Sequence, residues 1–338
     1  MKEKFLEDIL ETTPKEIYEN FSRGIKKHYL SYPIKKSSGK LRYIDAPLGD
    51  LKNLQKNILQ RILYKFKAHP SAVGFVTGVS AITGAERHLD AKVLLCMDLS
   101  NYFNSIKKHH VVKLWRYLLQ SLEARGLVKY GTVLPPKRLG MPKPKTSKGA
   151  IVTHFNGKPM AIMDSWVNTL TSATIYGGRL PQGAPTSPAL ANLYTYTMDI
   201  RLSELAKSIG LTYTRYADDI SFSHDDYSFD IATIIPDIIE IVSDYDLFVN
   251  KSKTRIMIPH RRMKVTGIVI NDTLSVPRYK WRNFRAMLHN MKRDGIVPTE
   301  KEYQQLRGYA EWIRSLNPKR GENFLTTLGE IMSTSSLA

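Results

Sequence analysis

Three acidic residues in this chain have the type and spacing for metal chemistry. Asp218 and Asp219 lie side by side in Leu211-Thr-Tyr-Thr-Arg-Tyr-Ala-Asp-Asp-Ile-Ser-Phe-Ser223, which alternates aromatic or apolar with polar residues. A period of two predicts a β-hairpin, with the carboxylates at its turn. Adjacent ionised carboxylates repel, and a cation relieves the repulsion. Hard divalent ions such as Mg2+ take carboxylate oxygens together with substrate phosphates. An ordinary Asp-rich turn has the same local pattern, because Asp is a common turn residue. A second stretch adds weight to the metal reading. Lys92-Val-Leu-Leu-Cys-Met97 is a short apolar run that reads as a buried strand, and it ends in Asp98 before Leu-Ser-Asn-Tyr-Phe103. The end of a core strand is a natural place for a metal-binding carboxylate.

A third stretch, Leu180-Pro-Gln-Gly-Ala-Pro-Thr-Ser-Pro188, opens a predicted helix. In this order, strand-Asp98, the Leu-Pro-Gln-Gly block and Tyr216-Ala-Asp-Asp219 resemble motifs A, B and C of reverse transcriptases. The resemblance covers roughly residues 25–315. It implies an α+β right-hand polymerase with fingers, palm and a helical thumb. It also implies two Mg2+ ions held by Asp98, Asp218 and Asp219, with the Leu99 carbonyl as a further ligand. By the same match, Arg42 faces the triphosphate with Lys36 or Lys40 assisting, and Phe103 takes the steric-gate position that selects dNTPs. Gln182 and Gly183 lie at the nucleotide or template, and Lys253 is a proton donor to pyrophosphate. Gly84-Ala-Glu-Arg-His88, with Gly84 where the family block has Asn, resembles a mark of bacterial retron enzymes. Val265-Thr-Gly267 resembles another; Ala85, His88 and Thr266 belong to these blocks. Retron enzymes copy part of a cognate noncoding RNA from a guanosine 2′-OH into branched RNA-linked DNA (msDNA), commonly with an effector protein in anti-phage defence. A group II intron-like or other defence-associated reverse transcriptase is the alternative within the class. A noncatalytic RNA-binding scaffold is the alternative outside it.

Composition agrees with a polyanionic partner. The 338 residues carry a net charge of +19 with pI near 9.7, a surplus that favours nucleic acid. No apolar run reaches the length of a membrane span. The acidic start, Met-Lys-Glu-Lys-Phe-Leu-Glu-Asp, differs from a signal peptide, so the expected location is cytoplasmic. The single cysteine, Cys96, excludes an internal disulfide and reads as a structural thiol.

The expected organisation is N-terminal helices and fingers over 1–95, palm over 96–270, and thumb over 271–338. Thr13-Pro-Lys-Glu16 is a capping-box pattern. Lys35-Lys-Ser-Ser-Gly-Lys40 predicts a basic hairpin; a solvated loop fits equally. Asp50–Phe66 and Val111–Ala124 predict amphipathic helices. Ser71–His88 reads as a Gly-punctuated loop. Residues 125–165, rich in Pro and Lys, read as an exposed insertion with a hairpin near Asn156-Gly157. Ser187-Pro188 predicts a helix start, running to about Ile209. A helical region at about Phe229–Ser243 is expected to be interrupted by Pro236, and Lys264–Ile270 to form one strand. Within Pro277–Arg293, Trp281, Phe284, Leu288 and Met291 share one helical face. Arg278, Arg282, Arg285 and Lys292 share the next, which suits a phosphate backbone. With the chain ending after the thumb, no nuclease domain is expected.

Overall fold

The computed structural model describes residues 4–35, 39–129, 161–260 and 262–334. These fall into two compact units. The first comprises 1–69, 100–200 and 242–248; the second comprises 70–99, 201–241 and 249–338. Lys36 and the hairpin expected near Asn156 lie outside the described residues.

The first unit holds a helical core and one hairpin. Thr13 and Glu16 cap the helix Pro14–Phe21 reciprocally, the Thr13 amide donating to Glu16 Oε2 at 2.8 Å and the Glu16 amide to Thr13 Oγ1 at 3.2 Å. Leu51, Leu54 and Ile58 form the buried stripe of the helix Gly49–Arg61. That helix stops five residues short of its predicted end, and a 3-10 turn, Leu63–Lys65, follows it. The helix Lys108–Ala124 buries Trp115, whose indole N–H donates to Thr174 Oγ1 at 3.2 Å. Strands Tyr29–Lys35 and Leu41–Pro47 pair antiparallel from Tyr29↔Pro47 to Lys35↔Leu41. The helix expected from Ser187 runs only to Tyr194 before a second one, Tyr196–Ser208, begins. At the break, the Thr195 hydroxyl donates back to the Ala191 carbonyl at 2.9 Å, a side-chain bond that bends helices. The cap position is Thr186 rather than Ser187.

The second unit is organised by a four-stranded antiparallel sheet. Its order is Thr212–Tyr216, Asp219–His224, Val93–Asp98, Arg255–Met257. Buried Leu94, Leu95, Tyr213, Ile220 and Phe222 supply its apolar faces. Two sequence expectations change here. The segment read as a loop contains the helix Ala81–Glu86, because Ser80 caps it by accepting from the Thr83 amide. The helical region does change near Pro236, from a 3-10 helix, Ile231–Ile234, to the α-helix Ile235–Ser243, with Pro236 in the first turn of the second. Lys264–Ile270 is a minimal hairpin, Val265↔Ile268 and Val269↔Lys264, not one strand. Its turn residues Thr266 and Gly267 have φ of +49° and +88°, and positive φ at both positions is what a type I′ turn requires.

The C-terminal part of this unit, the segment expected as the thumb, consists of three helices, Arg278–Arg293, Glu300–Leu316 and Pro318–Thr334. Phe284, Leu288, Ala310, Ile313, Phe324, Leu328 and Ile331 form its core. Of the predicted apolar face, Phe284 and Leu288 are buried, whereas Trp281 and Met291 pack at its margin.

Candidate active site

Asp98 is the last residue of its strand, and the register sets it directly opposite Asp219. Asp218 belongs to the two-residue turn between Tyr216 and Asp219, which are themselves paired. The Leu99 amide donates to the Asp218 carbonyl at 2.8 Å, and the Asn250 amide donates to the Asp98 carbonyl at 2.7 Å. Backbone bonds therefore fix the strand end and the turn to each other. Lys253 Nζ pairs with Asp98 Oδ2 at 2.7 Å.

Charge is crowded here. The Asp219 carboxyl is pushed up to about 6, first by partial removal from water, then by the negative charges of Asp218 and Asp98, with Lys253 opposing. Three acidic side chains, one of them paired with Lys253, make a hard-oxygen donor set, and both the burial and the repulsion that raise Asp219 are what a bound divalent cation would offset. The residues present thus fit Mg2+. Asp98 and Asp219 line a cavity of about 300 Å³ together with Cys96, Lys253, Arg255, Lys264 and Thr266. Burial pushes the Cys96 thiol up to about 11, so at neutral pH it is an inert thiol. Thr266 Oγ1 is buried without a hydrogen-bond partner.

The turn bearing Asp218 is braced by residues that the sequence reading passed over. Ala217 has φ +55°, a conformation that costs a non-glycine residue about 1 kcal/mol. Fully buried Arg215 donates from a guanidinium nitrogen to the Ala217 carbonyl at 3.0 Å. Its backbone bonds Ser71 and Val73 on the neighbouring loop. A Cβ on Gly74 would come within 2.8 Å of the Ala217 nitrogen, so only glycine lets that loop lie under the turn. The signal for Arg215 was present: a charged residue at the place where the alternation begun by Leu211 and Tyr213 calls for an apolar or aromatic side chain.

His88 is 1% exposed and holds the sheet from beneath. Its Nδ1 and Nε2 lie 2.7 Å from Ser223 Oγ and Thr214 Oγ1. Burial, aided by Arg87, lowers its pKa to about 4 and keeps it neutral. Ala85 is fully buried, and a Cβ on Gly84 would meet Val73 Cγ2 at 2.7 Å. The Gly-Ala-Glu-Arg-His block thus packs beneath the sheet that carries the carboxylates.

The remaining sequence-derived positions divide by unit. In the first, Arg42 lies exposed on the hairpin opposite Ile34, and Lys40 is exposed at its tip. The Gln182 carbonyl accepts from the Asp45 amide at 2.7 Å. Gly183 has φ +118°, and a Cβ there would meet Ile44 Cγ2 at 2.8 Å and the Asp45 carbonyl at 3.1 Å. The close approach that Gly183 permits in this structure is to the hairpin strand. Asp45, missed in the sequence, is buried, accepts from Ser31 Oγ at 2.6 Å and pairs with Arg179 at 3.6 Å. Phe103 is half-buried, edge-on to Tyr102 with ring centroids 5.3 Å apart. His109, His110 and Asp246 also cluster in this unit. However, His110 Nδ1 accepts from the Lys107 amide and Nε2 donates to Asp246, so both ring nitrogens are engaged. In the second unit, Arg278, Arg282 and Arg285 are exposed on the first thumb helix. Lys292, on the same helix, pairs with Glu330 at 2.7 Å. Among the described residues no helix is long and apolar enough to cross a membrane.

Comparison with known proteins agrees with this geometry. The family model for reverse transcriptase (RNA-dependent DNA polymerase) matches residues 147–270. The chain is 33% identical over 327 residues to the retron Mx162 reverse transcriptase of Myxococcus xanthus, covering 92% of this chain and 62% of that protein. It is 32% identical over 297 residues to the retron Mx65 reverse transcriptase of the same organism, covering 88% and 63%. It is 28% identical over 306 residues to the retron Ec86 reverse transcriptase of Escherichia coli, covering 90% and 81%. The chain spans about three fifths of the length of the two Myxococcus relatives. A carboxylate pair at a hairpin turn and a third carboxylate opposite it in register thus stand in a chain that is similar, along most of its length, to reverse transcriptases of bacterial retrons, and whose residues 147–270 match the reverse transcriptase family model.

Proposed function

We propose that this protein is an RNA-directed DNA polymerase of a retron, copying a cognate noncoding RNA into branched RNA-linked DNA and acting with an effector protein in anti-phage defence. The observation that carries the catalytic part is the meeting of Asp98, Asp218 and Asp219 at one end of the sheet, with Lys253 on Asp98. Asp98, Asp218 and Asp219 would hold two Mg2+ ions, with the Leu99 carbonyl as a further ligand. Such ions supply a more acidic primer hydroxyl and charge neutralisation at the triphosphate. The protein's own contribution is positional. The Asp98–Asp219 register and the Leu99–Asp218 backbone bond hold the carboxylates together before substrate arrives, so the chemical step needs little reorganisation. Lys253 places a proton-bearing ammonium beside Asp98, suited to protonating departing pyrophosphate.

The substrate roles rest on the motif matches. Arg42, assisted by Lys36 or Lys40, takes the phosphates of a dNTP; Phe103 excludes a ribose 2′-OH; Gln182 and Gly183 contact the nucleotide or template. Arg278, Arg282 and Arg285 grip the RNA backbone, joined by Lys292 where a phosphate displaces its exposed partner Glu330. Fingers over 1–95, palm over 96–270 and thumb over 271–338 remain our functional subdivision, and the cytoplasm the proposed site of action. The test is Asp218→Asn in primer extension on a primed RNA. Loss of several kcal/mol of transition-state stabilisation, on the order of a thousandfold in rate, is expected, with RNA binding retained. Near-normal extension would sink the assignment. For the retron part, ribonuclease followed by debranching enzyme should shift the copurified nucleic acid on a gel; only unbranched DNA, from active protein expressed at its native locus, would leave a reverse transcriptase of another kind.

A further inference from the structure

The thumb contains a second cavity, away from the carboxylates. It measures about 670 Å³ and is lined by Trp281, Arg285 and Lys292 of the first helix, and by Asn317, Lys319 and Arg320 at the start of the third. Leu288 and Phe324 form its apolar floor. Among the described residues that line it, none is acidic.

The cations there are arranged, not merely numerous. The Arg320 guanidinium lies over the Trp281 ring at 4.2 Å from its centroid, and Arg285 and Arg282 lie at 5.8 and 5.9 Å. Cation–π contact with one indole fixes guanidiniums that would otherwise sweep through solvent. Asn317 Oδ1 accepts from the Arg320 amide at 3.0 Å, which caps the third helix and sets its N-terminal end beside the cavity. The positive end of a helix favours an anion. Lys292 is neutralised by Glu330, so Arg285, Lys319 and Arg320 carry the uncompensated charge.

The shape narrows the ligand. A volume of several hundred Å³ with an apolar floor is that of a small-molecule pocket, not of a flat face laid along a duplex. Bases of a paired strand stay stacked and cannot enter it, whereas an unpaired nucleotide can be splayed out into an aromatic and cationic site. We infer that this cavity binds one unpaired nucleotide of the RNA partner, its phosphate held by Arg285, Lys319 and Arg320 and its base against Leu288, Phe324 and the Trp281 edge. The inference rests on the proposed RNA-directed function for the source of that nucleotide.

The experiment measures anisotropy of labelled hexauridylate on the full chain, beside a 12-base-pair RNA duplex of equal label. Uridine 5′-monophosphate should compete with hexauridylate, and uridine should not. The Lys319→Gln, Arg320→Gln double variant should weaken hexauridylate binding at least tenfold and duplex binding less than twofold. Thr327→Trp, which fills the cavity without altering charge, should weaken hexauridylate equally, and guards against a folding defect in the double variant. Equal losses on both probes would overturn the inference, because the residues would then grip backbone alone. So would competition by neither ligand, or unchanged hexauridylate binding in both variants. Primer extension by the unaltered chain is measured in parallel. Extension without monophosphate-sensitive binding sinks the pocket alone; absent extension sinks the polymerase reading alone.

Discussion

His88 should make the second unit sensitive to mild acid, and the size of the effect follows from its surroundings. Between Ser223 and Thr214 it is neutral, its pKa lowered from an ordinary 6.5 to about 4 by burial, with Arg87 adding to the effect. The unfolded chain takes up a proton near 6.5 that the folded chain refuses until about 4. The stabilisation is therefore complete above the unfolded value and is lost as pH falls through the window from 6.5 to 4. At 1.36 kcal/mol per pKa unit the whole window is worth about 3.4 kcal/mol, of which about 2 kcal/mol is lost between pH 7 and pH 5. His88→Gln removes the titration but keeps a donor and an acceptor near the two hydroxyls. It should cost about 1–3 kcal/mol at pH 7 through imperfect pairing of buried hydroxyls. The gap between variant and parent should then shrink by about 2 kcal/mol at pH 5. Urea unfolding at both pH values, followed by tryptophan fluorescence, measures it. Parallel pH dependence in the two proteins would refute the neutral, buried histidine.

Three other substitutions test the site. Gly74→Ala forces a Cβ to within 2.8 Å of the Ala217 nitrogen; shifting the Asp218 turn should slow primer extension by roughly tenfold to a hundredfold in a chain that still folds, and an unchanged rate would remove Gly74 from the support of the turn. Phe103→Val should raise ribonucleotide relative to deoxynucleotide incorporation in single-nucleotide assays; an unchanged ratio in an enzyme still active on dNTPs would leave Phe103 a packing residue only. Thr266→Asn places a residue tolerant of positive φ at a strained turn position and should stabilise the chain by about 1 kcal/mol in urea; a loss of stability would show that the Thr266 side chain holds the turn.

The carboxylates and the elements that carry them were legible in the sequence because both signals are local. Tyr216-Ala-Asp-Asp219 reads as a hairpin turn from period-two alternation, and Asp98 reads as a strand end from the apolar run before it. The capping box at Thr13–Glu16 was legible for the same reason, since both partners lie within one helical turn. What the sequence left open was decided by partners distant along the chain. The Asp98↔Asp219 register joins residues 121 apart by sheet pairing, which no local pattern encodes (219 − 98). Asp45 was invisible because its partners, Arg179 and the Gln182 carbonyl, lie far along the chain from it. The pairing of Lys292 with Glu330 was likewise out of reach, because Glu330 comes from a different helix, 38 residues along the chain. His88 matched a motif by spacing, but its role beneath the sheet follows from Thr214 and Ser223, which face it only after the hairpin pairs. The sequence by itself determined the chemical groups and their local elements. Tertiary packing alone decided which charges are neutralised, which histidine stays unprotonated and where backbone strain is held, because each depends on solvent exclusion and on through-space neighbours.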